Sequence, residues 1–150
     1  MQLFNLKIYF FLFVVFTVSS QEREQIEIKF APYMTIEEKN PEATILTRDN
    51  SKQVHIKHKG IELWCDKAVY YQDQDFIEAF GKVLVKQGDS LDMTSNYAEY
   101  SGITQLAYAS GDVVLIDSNS KLYTDILYFD RIKQQALYNQ NGKVAVSYTH

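Results

Sequence analysis

Cysteine is almost missing from this chain. Cys65 stands alone, so no intramolecular disulfide can form even in an oxidising compartment, and the fold must be held by its own core. Proline is nearly as scarce. Pro32 and Pro41 are the only two, and their absence beyond Gln53 leaves nearly one hundred consecutive residues free to pair in sheets. Positive charge is in deficit, with 15 Lys+Arg against 19 Asp+Glu and a formal net charge of −4. That balance carries no electrostatic footprint of a nucleic-acid binder. Past the N-terminal stretch, no window of eleven or more residues keeps an i, i+3, i+4, i+7 apolar stripe, so little helix is expected. There is no Gly-x-Ser-x-Gly, no phosphate loop and no zinc-ligand spacing.

One long apolar run exists. It extends from Ile8 to Val18, follows Lys7, and is succeeded by Ser19, Ser20 and Gln21. Eleven residues fall short of the ~18 needed for a spanning helix, and the small polar residues after them suit cleavage. Residues 1–20 therefore read as a secretory signal peptide, with an uncleaved anchor as the alternative. With no cysteine at the cleavage point, lipid attachment there is not expected. Residues 21–150 read as one domain outside the cytoplasm, large enough to bury a sizeable core.

What the chain does have is aromatic and β-branched residues in short alternating runs, including 11 Tyr and 9 Phe. Turn clusters divide them: His58-Lys59-Gly60, Asp73-Gln74-Asp75, Gln87-Gly88-Asp89, Ser101-Gly102, Asp117 to Ser120, and Asn139 to Gly142. Strands are predicted over 54–57, 61–71, 76–86, 91–100, 106–116, 122–129, 136–138 and 143–148. In the charged stretch 21–50, one further strand is predicted at Ile26 to Phe30, ended by Pro32.

These strands repeat. Val54, Val83, Val113 and Val144 are each followed two residues later by an apolar residue, Ile56, Val85, Leu115 or Val146. A period of about thirty residues is the signature of a stacked array, in which each copy buries its apolar face only against its neighbours. Three copies share a glycine two residues before the valine (Gly81, Gly111, Gly142), and the first has Lys52 there. Asp66, Ser95 and Asp125 fall twelve residues after their valines, where a polar residue suits a bend. The fourth copy reads as incomplete at His150: either an edge strand is left open or a longer chain was cut.

Candidate chemistry is sparse. His55 and His58 are three apart on a strand and so face opposite ways, which favours surface histidines over metal ligands. Asp73 and Asp75 sit in a polar turn without a calcium pattern. Cys65, in Leu63-Trp64-Cys65-Asp66, reads as a buried structural thiol rather than a nucleophile. Lys57, Lys59, Lys82 and Lys86 project away from the valine face and are candidates for phosphate contact, or form a solvated face. The inward face, Val54, Ile56, Val83, Val85, Val113, Leu115, Val144 and Val146, with Leu63, Leu91, Met93, Leu122 and Ile126 opposite, is core in a closed sandwich and a lipid groove in an open one.

Several stretches carry a resemblance: His58-Lys59-Gly60, Trp64-Cys65-Asp66-Lys67-Ala68-Val69-Tyr70-Tyr71, Ile77 to Val83, Gln87 to Leu91, and Leu122 to Asp130. Their order and period, from about Ile26 to Val146, are similar to the LptA/OstA type of periplasmic lipopolysaccharide-transport proteins, also called organic solvent tolerance proteins. The resemblance implies an all-β fold, an open antiparallel jellyroll whose apolar interior shields lipid A acyl chains between inner and outer membranes. It implies no catalytic residue and no cofactor. It also implies partners in the transport machinery, and end-to-end self-association, through exposed edge strands; here the edges are Ile26, Ile28 and Phe30 at one end, and Val144 and Val146 at the other. The missing first glycine and the short fourth copy depart from the pattern. Two other readings stay open: an adhesive β-solenoid with a packed core, and a secreted polysaccharide-acting enzyme, for which Asp66, Asp92 and Asp125 would be the carboxylate ladder.

Overall fold

The computed structural model describes residues 23–139 and 141–146; the signal peptide expected over 1–20 lies outside the described residues. Among them the fold is all β, in twelve strands. They are β1 (Glu27–Phe30), β2 (Tyr33–Glu37), β3 (Asn40–Thr47), β4 (Val54–His58), β5 (Ile61–Cys65), β6 (Lys67–Tyr71), β7 (Phe76–Gln87), β8 (Leu91–Ser101), β9 (Leu106–Asp117), β10 (Ser120–Asp130), β11 (Gln135–Tyr138) and β12 (Lys143–Val146). The strand expected over 61–71 is interrupted at Asp66. β2 and β3 were not predicted: every residue of β2 is exposed, so no buried face imposes an alternation on it, and β3 follows in a charged stretch with Pro41 at its start. Pro41 is tolerated in β3 because pairing with β6 begins only at Ala43.

All pairing is antiparallel, and each long strand works in two halves. Leu84 to Gln87 of β7 pair with β5 and Val83 to Gln87 with Leu91 to Ser95 of β8, while Phe76 to Phe80 pair with β6 and with Tyr97 to Ser101. β9 and β10 divide in the same way. One continuous sheet therefore folds along a crease into two leaves. The first leaf runs β1, β4, β5, then halves of β7 to β10, then β12; the second runs β2, β3, β6, the other halves, then β11.

The crease explains the repeated glycine. Gly81-Lys82 and Gly111-Asp112 both adopt paired positive φ angles, 78° with 45° and 77° with 50°, at the register shifts of β7 and β9. A Cβ on Gly81 would lie 2.9 Å from the Asp66 carboxylate, and one on Gly111 would lie 3.0 Å from Asn96. The position needs both left-handed backbone and close approach, and glycine supplies both. In the first copy, where glycine is missing, the loop from Arg48 to Gln53 makes the bend. Arg48 donates to Asp66 at 2.8 Å, Gln53 donates to Asp66 at 3.2 Å and to the Lys82 carbonyl at 3.1 Å, and Asp49 accepts the N–H groups of Ser51 and Lys52.

Extra residues at the crease also shift the inward phase. β8 buries Met93 and Ser95, then Ala98 and Tyr100; β10 buries Leu122 and Thr124, then Leu127. The polar residues that share the bend are therefore Asp66, Asn96 and Asp125, not Asp66, Ser95 and Asp125. Ser95 instead lies inside, as does Thr124, and each hydroxyl donates to the carbonyl two residues on, at 3.0 Å. Val54, Val83 and Val113 are fully buried next to the crease, with Cys65 and Leu46.

Candidate functional site: the groove between the leaves

Opposite the crease the leaves part, and an apolar cavity of about 60 Å³ lies between them. Ile56, Leu63, Val85, Leu91, Met93 and Leu115 line it from the first leaf, and Ile77, Ala98, Tyr100, Ala107, Leu127 and Phe129 from the second. The volume is well below the roughly 150 Å³ of an engineered cavity that admits benzene. A longer apolar ligand requires the leaves to spread.

Polar groups close the mouth. His58 Nε2 donates to the Glu24 carbonyl at 2.9 Å, and its Nδ1 lies 2.8 Å from the Tyr100 hydroxyl on the other leaf. Burial pushes the Tyr100 hydroxyl up to about 12, with the Arg131 charge opposing and the Asp75 charge adding to the rise. Arg131, in the β10–β11 turn, donates to the Gln105 side chain at 2.6 Å and to the Lys59 carbonyl in the β4–β5 turn. Asp75, nominally a turn residue, is buried and accepts the Ile26 N–H at 2.9 Å.

The sequence-predicted groove residues divide into three groups. Ile56, Leu63, Val85, Leu91, Met93 and Leu115 meet at the cavity. Val54, Val83, Val113 and Leu122 are buried closer to the crease, as core rather than cavity wall. Ile126, Val144 and Val146 belong to neither. The register shift between Thr124 and Ile126 turns Leu127 inward in place of Ile126. Among the described residues β12 pairs with β10 alone, and it leaves Val144 and Val146 half exposed. β1 is likewise an edge and carries Ile28 and Phe30, but Ile26 precedes it and is buried against the cavity.

The four lysines do not converge. Lys86 is paired with Asp92 at 2.8 Å, Lys57 stands opposite Glu62 on the outer face, Lys82 is in the crease, and Lys59 is in a turn at the mouth. His55 and His58 do face opposite ways, but only His55 is at the surface, stacked on Trp64 with ring centroids 4.6 Å apart; His58 is buried. The carboxylate ladder is also dispersed, since Asp66 holds Arg48, Asp92 holds Lys86 and Asp125 is exposed. Cys65 is buried, and burial foremost, with the Asp66 charge, pushes its thiol up to about 12. Sequence reasoning missed the second-leaf wall, His58, Arg131 and Asp75. The phase shift in β8 and β10 hid the wall, and only long-range register brings the polar residues together.

Comparison with known proteins places this architecture. Solved structures of the same fold include LptH, described as the LptA-homologous periplasmic component of the lipopolysaccharide transport device from Pseudomonas aeruginosa. That match has a TM-score of 0.71 and 10% identity, covering 83% of this chain and 96% of LptH. No curated protein sequence matches the chain. A family model described as OstA-like protein matches residues 24–148, nearly all of the described chain, and this chain belongs to the OstA-like protein family.

Proposed function

We propose that this chain is a periplasmic lipopolysaccharide-transport component, exported by a signal peptide over residues 1–20, with residues 21–150 as its working domain. It shields lipid A acyl chains between the two leaves and hands them between inner and outer membranes, contributing to outer-membrane assembly. Family membership supports this, as does the fold shared with LptH, and the LptA-like family is one of non-enzymatic transport bridges. The observation that carries it is the apolar groove opposite the crease, walled by both leaves and rimmed by His58, Gln105 and Arg131. Each acyl CH₂ taken into such a groove contributes about 0.8 kcal/mol, so a single chain supplies most of the affinity. Arg131 lines the groove and Lys59 adjoins it in the mouth, where both are candidates for lipid phosphates, as are Lys57, Lys82 and Lys86. Membrane-bound partners, or a second copy, would add strands at β1 or β2 and at β12, whose free N–H and C=O groups are open to β-augmentation.

Photo-crosslinking tests this reading. A photoreactive residue at Val85 or Leu115, incubated with lipopolysaccharide, is expected to crosslink, and one at the outward Leu84 is not. Equal labelling inside and outside would sink the proposal. A second reading draws on the small cavity: a core that its own side chains nearly fill suits an adhesive β-solenoid that binds no lipid. That reading predicts no crosslink at Val85 while end-to-end assembly persists.

A further inference from the structure

The mouth of the groove is crossed by a short segment, Glu24 to Ile26, that touches both leaves. On the first leaf, the Glu24 carbonyl accepts from His58 at 2.9 Å, and its carboxylate accepts the Lys59 N–H at 3.1 Å. On the second, the Ile26 N–H donates to Asp75 at 2.9 Å, and the Tyr70 hydroxyl donates to the Ile26 carbonyl at 3.4 Å. Between these anchors the Ile26 side chain, 5% exposed, forms part of the cavity wall. An apolar side chain thus occupies the volume that an acyl chain would need, held there by polar contacts.

Two features mark this closure as reversible. Asp75 Oδ2 and Arg131 Nε are buried with no hydrogen-bond partner among the described residues. A buried polar group left unpaired costs about 1–3 kcal/mol, so the closed mouth carries a penalty that opening to water removes. Almost all of the strap's attachments are single hydrogen bonds at the rim, whereas β1 beyond it is held to β4 by a strand ladder. Release of the segment would leave that ladder in place.

We propose that Glu24 to Ile26 is a displaceable strap that plugs the lipid-free groove, and that its release from Asp75 admits the first acyl chain. This rests on the groove reading above. In the closed form Ile26 keeps the apolar walls dry; in the open form the acyl chain takes over that role, and Asp75 is hydrated. Apparent affinity is then reduced by the fraction of molecules whose strap is closed, so weakening the strap tightens binding.

The test uses the mature chain and a dansylated undecanoic acid as probe. Asp75→Ala removes the anchor, whereas Asp75→Asn keeps an acceptor for the Ile26 N–H. Ile26→Ala removes the plug and leaves both leaves untouched. Asp75→Ala and Ile26→Ala are expected to bind the probe about tenfold more tightly than the unaltered chain, as the loss of one hydrogen bond to a charged group allows. Asp75→Asn is expected to stay within about twofold, since its replacement acceptor preserves that bond. Hydrogen exchange across residues 23–28 should accelerate in Asp75→Ala and not in Asp75→Asn. If Asp75→Ala does not fold, Ile26→Ala decides the matter alone. Probe binding by the unaltered chain that neither folded variant strengthens overturns the strap only. No binding of probe or lipopolysaccharide by any form overturns the groove reading, and the strap with it.

Discussion

The crease and the mouth are opposite edges of the same two leaves, yet they are closed by different means. The crease is backbone: paired positive φ angles at Gly81-Lys82 and Gly111-Asp112, close approach to Asp66 and Asn96, and buried valines beside them. The mouth is mostly side chain: His58 to Tyr100, Arg131 to Lys59, Asp75 to the strap. Opening the first would break the sheet's own hydrogen bonds; opening the second exchanges a few polar contacts for water. A container for a long apolar ligand needs that asymmetry, a hinge that holds and a seam that yields.

Substitutions at the two edges test the contrast, beginning with the most damaging. Val113→Asp places an unpaired charge in a fully buried position beside the crease. It is expected to cost more than about 4 kcal/mol and abolish the cooperative melt by circular dichroism. Gly81→Ala adds a left-handed alanine and a clash with Asp66. A loss of about 1–3 kcal/mol is expected from the dihedral alone, with the clash added. Gly88→Ala has positive φ but open space around it, so its smaller loss in a denaturant titration isolates the close approach. Equal losses at the two sites would mean that the crease does not depend on that contact.

At the mouth, Tyr100→Phe removes the group that lies 2.8 Å from His58 Nδ1. A loss of about 1–2 kcal/mol is expected, since one buried ring nitrogen is left unpaired. A loss as large as that at Gly81 would erase the distinction between hinge and seam. The smallest effect belongs to the Asp66–Arg48 pair in the crease. Burial pushes the Asp66 carboxyl up, but hydrogen bonds from Arg48 and Gln53 outweigh it and hold the carboxyl below its usual range. A depressed folded-state value means stability that is present above the unfolded-state value and lost as pH falls through the folded one. Partial exposure limits the pair to about 0.5–1 kcal/mol. Asp66→Asn should therefore melt slightly lower than the unaltered chain near neutral pH, and the two should converge in acid.

Much of the β architecture was legible. The thirty-residue period, the strand-and-turn spacing and the burial of Val54, Val83 and Val113 all follow from local alternation and packing. β2 and β3 were not, because an exposed edge strand such as Tyr33 to Glu37 has no buried face to impose a period of two. Of the site, the first-leaf wall from Ile56 to Leu115 was legible, since it continues the valine phase. Ile126 was misplaced for the converse reason: the shift at Thr124 reverses the phase, and a bulge is visible only in register with β9.

The sequence by itself determined a stacked all-β array, a lone thiol with no disulfide role, and an apolar stripe in each half-strand, because alternation and turn chemistry act over a few residues. The tertiary structure decided where the stripe changes strand phase, that the sheet folds into two leaves, and that Ile26 and Asp75, 49 residues apart, meet across the mouth. Those outcomes depend on register between distant strands, and no local pattern carries that register.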